Sequence, residues 1–433
     1  VNALFSILKA LGAPLERLED VPSALRERRK ELWQRPLEPV TVAWNGNLSS
    51  LSLRLPSSLG EVKLVCHLTT ENGERREQSY LTSELKALEM TEVEGTRYEV
   101  KELYWEDMLP PGYHRLSLRL KGKTAETLVI SAPSRFYHPS EPEAYRRWGV
   151  FAPLYALTGV RGWGSGDLSD LQKLVSWVGD MGGNIVGMLP LLASFLDGNT
   201  DPSPYIPASR LLWNEFYLDI MSVPELESCP KAQALLASAS FQKDIEVLRS
   251  VLQVDYHRIM IKKRQVLEEL CRCLFAVPSK RRDALLRFIK TNPVVEDYAC
   301  FRAARERHGP SWQAWPRPLS NGVVGEGDYS EEAKRYYLYT QWLIQEQVER
   351  LLKTSQASNV TLYLDLPLGI HPDGYDAWRE RDAFLSGISA GAPPDAVFTK
   401  GQDWEFPPLH PEKIREQGYR YVIAYLRHHL SHA

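Results

Sequence analysis

From Trp148 to Leu192 the chain reads "WGVFAPLYALTGVRGWGSGDLSDLQKLVSWVGDMGGNIVGMLPLL", and this stretch decides the fold. It opens and closes on continuous apolar runs, "WGVFAPLYAL" (148–157) and "NIVGMLPLL" (184–192). Such runs are the pattern of strands buried on both faces. Between them Leu168, Leu171, Leu174, Val175 and Val178 recur at helical spacing. Asp167 stands at the start of that helix, and Gly182 and Gly183 close it. Strand, helix and strand in this order predict a βαβ unit and hence a parallel sheet.

The same grammar continues downstream. "YYLYTQWLIQEQVERLLKTS" (336–355) predicts an amphipathic helix feeding a third apolar strand, "NVTLYLDLPLGI" (359–370). A further helix is expected in "GYRYVIAYLRHHL" (418–430), where Tyr419, Val422, Ile423, Leu426 and Leu430 share a face. Residues 241–285 and 293–308 read as helices with charged outer faces, within a helical insertion at about 225–350. In it, the basic run Ile261-Lys262-Lys263-Arg264 reads as a solvated helix face. Three parallel strands, each ending in a loop rich in polar and aromatic residues, predict an incomplete (β/α)8 TIM barrel over 149–433, with about three of its eight strands. Upstream, residues 1–38 read as helical. Over 39–132 the period falls to two, in "VTVAW", "LSLRL", "VKLVCHLTT", "TRYEV" and "HRLSLRL", separated by turns such as "ENGER" and "LPPGY". That pattern predicts an Ig-like antiparallel β-sandwich. Residues 133–148 read as a linker.

Composition narrows the function. Against 52 Lys plus Arg stand 55 Asp plus Glu, a balance without the basic footprint of a nucleic-acid binder. No apolar run approaches the roughly 20 residues of a membrane span. The five cysteines (Cys66, Cys229, Cys271, Cys273, Cys300) are odd in number and scattered, which suits a reducing, cytoplasmic setting. Cys271 and Cys273 lie two apart on a predicted helix, do not share a face, and read as packing residues. No G-x-G-x-x-G nucleotide loop and no H-E-x-x-H zinc motif occurs.

Four ordered segments then carry a resemblance. "SPYIPASR" (203–210), "DLPLGIHPDGYDAW" (365–378), "GAPPDAVFTKGQDW" (391–404) and the helix "GYRYVIAYLRHHL" are similar to successive motifs of the 4-α-glucanotransferases, the amylomaltase and disproportionating-enzyme group of glycoside hydrolase family 77. Longer bacterial members also carry a β-sandwich before the barrel, so the resemblance covers nearly the whole chain. It implies transfer of α-1,4-glucan segments between maltodextrins by a retaining double displacement, with a maltooligosaccharide as partner and neither metal nor organic cofactor. It also implies that Tyr205 stacks on a glucose ring; a buried loop tyrosine is the other reading. Asp373 is implied as an acceptor for sugar hydroxyls, where a charge-assisted bond is stronger than a neutral one; a loop cap is the alternative. Gln402 and Trp404 match acceptor-side contacts, an amide that both donates and accepts beside an indole that stacks. Asp395 either touches sugar or shapes its loop. Asp376 is expected to cap the next helix, and Asp365 to be structural within its strand. Where the family usually has glycine, this chain has Glu405.

A retaining mechanism needs two carboxylates about 5–5.5 Å apart. The family's nucleophile lies in an R-x-D-H segment after the helix resembling 418–430, and no such segment occurs here. The catalytic residues are therefore unknown, and the chain is expected to be a severed, inactive N-terminal portion. The competing expectation is a non-catalytic α-glucan-binding module built from the sandwich and the Tyr205 and Trp404 loops.

Overall fold

The computed structural model describes residues 2–48, 50–120, 122–135, 147–196 and 202–432. Most of the expected linker, 136–146, lies outside them. The strands are β1 (Val40–Trp44), β2 (Leu51–Pro56), β3 (Lys63–Thr69), β4 (Arg75–Leu81), β5 (Ala87–Val93), β6 (Thr96–Leu103), β7 (Gly112–Leu120), β8 (Lys123–Ala132), β9 (Gly149–Phe151), β10 (Ile185–Met188), β11 (Thr361–Leu364), β12 (Gly391–Ala392) and β13 (Gln402–Asp403). The helices are α1 (Asn2–Ala10), α2 (Val21–Gln34), α3 (Leu168–Asp180), α4 (Pro230–Ala237), α5 (Ala239–Ser250), α6 (Tyr256–Ala276), α7 (Lys280–Thr291), α8 (Pro293–His308), α9 (Glu331–Ala357), α10 (Tyr375–Arg379), α11 (Pro411–Glu416) and α12 (Arg420–Leu430). Among the described residues no helix is long and apolar enough to cross a membrane. Nor does any group of three or more His, Cys, Asp or Glu side chains among them suit a metal ion.

The chain divides into two compact units. The first holds a β-sandwich of a five-stranded sheet, ordered β1-β8-β7-β3-β4, and a three-stranded sheet, β2-β6-β5. The alternation read from the sequence is real: Leu53, Leu64, Leu68, Leu103, Leu116 and Leu118 are fully buried at every second position of their strands. The expectation of a purely antiparallel sandwich is corrected, because β1 pairs with β8 in parallel, Val40 opposite Leu128. Side-chain period reports burial and carries no information about strand direction. Leu409–Val422, far along the chain, also belongs to this unit. It brings Glu412 to Arg28 at 2.5 Å, Glu416 to Arg35 at 2.7 Å and Arg415 to Glu38 at 3.0 Å.

The second unit is built on a parallel sheet ordered β11-β10-β9, with Ile185 opposite both Gly149 and Thr361. A Cβ at Gly149 would lie 1.7 Å from the Ile185 carbonyl oxygen, so this close approach requires glycine. Each strand is shorter than its apolar run. Pro153, Pro190 and Pro367 follow the three strands closely, and proline supplies no N–H to a ladder. The expectation that strands of this sheet are buried on two faces holds for the end of β10 alone. Phe151 of β9 and Tyr363 of β11 are more than half exposed. Helix α3 starts as read: the Asp167 carboxylate accepts from the backbone N–H of Ser169 at 2.9 Å and of Asp170 at 3.1 Å. Leu168, Leu171, Val175 and Val178 are its buried face.

Helices α4 to α9 occupy the stretch read as an insertion. On α9 two buried glutamines each bond one backbone residue twice. Gln341 accepts from Trp213 N–H and donates to Trp213 C=O, and Gln347 treats Asp219 in the same way. These pairs moor the chain that returns from β10. Two sequence expectations fail here. The basic run is not a solvated face: Lys263 is buried and its ammonium donates to the carbonyls of Phe216 and Leu218. Burial pushes its pKa down to about 8, against the pull of Asp167 and Asp219. Cys273 is not a plain packing residue either, for it is joined to Cys229 in a disulfide. Sequence distance hid that pairing, because Cys229 lies 44 residues away.

Candidate functional site

The chain leaving β10 runs against its own return. Ala193 N–H donates to Leu212 C=O at 2.8 Å, and Ala208 N–H donates to Ala193 C=O at 2.7 Å. The intervening loop carries Tyr205. The loop after β11 then docks on this pair, with His371 N–H donating to Pro207 C=O at 2.8 Å. Asp376 completes the junction and is fully buried. Its carboxylate accepts from Ser209 Oγ at 2.7 Å and from Arg210 N–H at 2.8 Å. Asp376 is therefore not the helix cap expected of it. It lies inside α10, whose N-cap is Gly374, and it fastens one site loop to the other. Nothing in the local sequence marks that role, since its partners are more than 160 residues upstream.

Arg210, buried beside this junction, lays its guanidinium over the Tyr425 ring at 4.0 Å and donates to Leu368 C=O at 3.3 Å.

Tyr205 is partly exposed, and its hydroxyl donates to Asp365 Oδ2 at 2.6 Å. That hydrogen bond, with burial and the carboxylate charge, raises the phenol pKa to about 12. The expectation that Asp365 sits within its strand is corrected: it is the first residue beyond β11 and its side chain meets Tyr205. Asp373 is half-buried; its Oδ1 accepts from Ser311 Oγ at 2.9 Å, and its N–H donates to His371 Nδ1 at 3.0 Å.

Residues 389–406 form a separate hairpin on β12 and β13, Gly391 opposite Asp403. Gly401 has φ of +78°, and a Cβ there would meet Ala392 C=O at 2.7 Å. Asp395 shapes the tip, its Oδ1 accepting from the N–H groups of Val397 at 2.8 Å and Phe398 at 2.5 Å. Trp404 Nε1 donates to Gln402 Oε1 at 3.1 Å, which orients the partly exposed indole. Trp404 also stacks on Phe406, centroids 5.9 Å apart, and Phe406 packs against Gly369 of the loop after β11. The hairpin is thus seated beside that loop. Glu405 has φ of +59°, the left-handed region that glycine occupies at least cost.

Fold and site together define a two-unit protein, a β-sandwich joined to a parallel α/β unit with its polar and aromatic loops gathered at the carboxyl ends of β10 and β11. The sequence model of the 4-α-glucanotransferases of glycoside hydrolase family 77 matches residues 152–433, and that of the MalQ N-terminal β-sandwich domain matches residues 36–133. The chain belongs to the 4-α-glucanotransferase family. It is 28% identical to the 4-α-glucanotransferase of Mycobacterium tuberculosis (strain H37Rv) over 445 residues, covering 99% of this chain and 60% of the relative. The Haemophilus influenzae 4-α-glucanotransferase is 28% identical over 340 residues, 73% of this chain and 48% of that protein. The solved amylomaltase of Corynebacterium glutamicum superposes with a TM-score of 0.81 at 25% identity, over 99% of this chain and 59% of that one. The amylomaltase of Streptococcus agalactiae, solved in complex with acarbose, superposes with a TM-score of 0.52 at 22% identity, over 64% of this chain and 56% of that one. This chain spans about 60% of the length of the mycobacterial relatives. These family matches lend no support to the expectation of a severed, inactive fragment.

Proposed function

We propose that the chain supplies the glucan-gripping face of a 4-α-glucanotransferase, an enzyme that moves α-1,4-linked segments from one maltodextrin to another. In this reading β9 to β11 are a sector of a (β/α)8 barrel, and substrate lies across the carboxyl ends of β10 and β11. Tyr205 presents a ring to a glucose face while its hydroxyl stays bonded to Asp365. Asp373 accepts from sugar hydroxyls. Trp404 stacks on the acceptor sugar, and Gln402, which holds the indole, bonds its hydroxyls. Asp395 serves the shape of the hairpin rather than the sugar, since its carboxylate already caps two N–H groups. The reaction is a retaining double displacement in which an acceptor hydroxyl takes the place of water.

The observation that carries this reading is the Tyr205–Asp365 bond, which sets a partly exposed aromatic ring at the ends of two adjacent parallel strands. The streptococcal amylomaltase of similar fold was solved in complex with acarbose. The test is incubation of the full-length protein with maltotriose. Longer maltodextrins together with glucose are the expected products, and a Tyr205→Ala change should lower turnover about a hundredfold or more if the ring positions the reacting sugar. Saturable maltodextrin binding with no new products would instead favour a binding module.

A further inference from the structure

Helix α12 carries one of the four family motifs, yet none of its residues is among the sugar contacts proposed above. It bears on them from behind. Tyr425 and His429, one turn apart on α12, are both buried. His429 Nε2 donates to the carbonyl of Leu364, the residue just before Asp365, at 2.6 Å. The Tyr425 ring carries the Arg210 guanidinium at 4.0 Å, and that guanidinium donates to the carbonyls of Pro367 at 3.5 Å and Leu368 at 3.3 Å, just after Asp365. Asp365 is thus bracketed by α12, directly on one side and through Arg210 on the other.

The bracket matters because the chain leaves the sheet at this point. Asp365 N–H still donates to Met188 C=O at 3.1 Å, but the strand has ended and Pro367 has no N–H to give. The Leu368 side chain is 78% exposed, so it is the backbone there that is held. Arg210 is itself well fixed. Only 3% of it is exposed, and its own N–H donates to Asp376 Oδ2 at 2.8 Å. Stacking on the Tyr425 face sets the plane of the guanidinium, and with it the direction in which its N–H groups point.

We propose that Arg210, backed by Tyr425, is a positioning residue that holds the chain after β11 so that Asp365 stays bonded to Tyr205. The bond is a feature of the structure, so this claim stands apart from the glucanotransferase reading; only its effect on turnover rests on that reading. The test follows the Tyr205 phenol by NMR of the full-length protein carrying Cζ-labelled tyrosine, its signal assigned by loss in Tyr205→Phe. At about pH 10.5 the wild-type phenol should stay largely protonated, because the Asp365 bond leads the causes that raise its pKa to about 12, with Tyr155 and Tyr363 contributing. In Asp365→Asn it should be largely ionised. Arg210→Met and Tyr425→Leu should each move it towards the Asp365→Asn value. Loss of the Arg210 charge alone would push the phenol the other way, so a fall reports position. Tyr425→Phe keeps the ring face and should titrate as wild type. With maltotriose, Tyr425→Leu should lower turnover about tenfold alone but less than about twofold when added to Asp365→Asn, because both act on one bond. The proposal is overturned if Arg210→Met and Tyr425→Leu both titrate as wild type, or if the two losses of turnover multiply. Should one of these variants fail to fold, the other decides. If wild type transfers nothing, the glucanotransferase reading fails and the titration alone upholds or overturns the positioning role.

Discussion

At the scale of single residues, two positions run against the usual preference of their side chains. Glu405 holds a left-handed backbone, and its side chain has no hydrogen bond or ion pair among the described residues; the Asp403 bond at this turn goes to its main-chain N–H. Replacing it with glycine should remove that conformational cost and raise stability by up to about 1 kcal/mol, read from denaturant midpoints. Lys263 is the opposite case, a cation kept inside by two carbonyls and nearby carboxylates. Its folded-state pKa of about 8 lies below the ordinary 10.5, so between those values the unfolded chain binds the proton more readily. The contribution of Lys263 to stability should therefore rise with pH from about 8 to 10.5, read as the difference between the wild-type and Lys263→Met profiles. The same variant should cost about 1–3 kcal/mol at neutral pH, because Phe216 and Leu218 lose their donor. A difference between the two profiles that stays flat over this range would contradict the assignment.

At the scale of elements, α12 is fastened through histidines. His429 Nε2 donates to Leu364 C=O at 2.6 Å, fixing the helix to the end of β11. His428 packs on the Trp213 ring at 4.7 Å, and burial lowers its pKa to about 3, with His432 and His429 adding to the effect. Because the folded value lies below the ordinary 6.5, the unfolded chain takes up the proton first on acidification. This contribution to stability is whole above about pH 6.5 and is lost as pH falls towards 3. A His428→Leu protein should show a lower acid-unfolding midpoint than wild type. That a helix forms at α12 was legible in the sequence, but its expected inner face was not the right one: Tyr421, Tyr425 and His429 are buried, while Leu426 and Leu430 are exposed. Nor could the seating of His428 against Trp213 be read, since the two are more than 200 positions apart.

That contrast holds for the whole molecule. Sandwich, α3 and the parallel order of the sheet could be read because each is written in local period and local caps. The parallel β1–β8 pair, the disulfide, the buried Lys263 and the Asp376 junction could not, because each joins residues distant in the chain. The four motifs singled out Tyr205, Asp373, Gln402 and Trp404 as candidate sugar contacts. They gave no hint that Asp365 would meet Tyr205, nor that Asp376 would join the loops. The disulfide closes 44 residues of the second unit, and a loop of that size stabilises by up to about 4 kcal/mol. Thermal unfolding with and without a phosphine reductant should show that unit losing stability on reduction, and a Cys229→Ala variant should be indifferent to reductant. The salt bridges from Arg28, Arg35 and Glu38 to the 412–416 segment have a consequence for biosynthesis. The first of the two units is completed by residues far along the chain, Glu416 lying 381 positions beyond Arg35. A ribosome must release Glu416 before Arg35 can find its partner, so the sandwich-bearing unit waits, incomplete, while everything between is made.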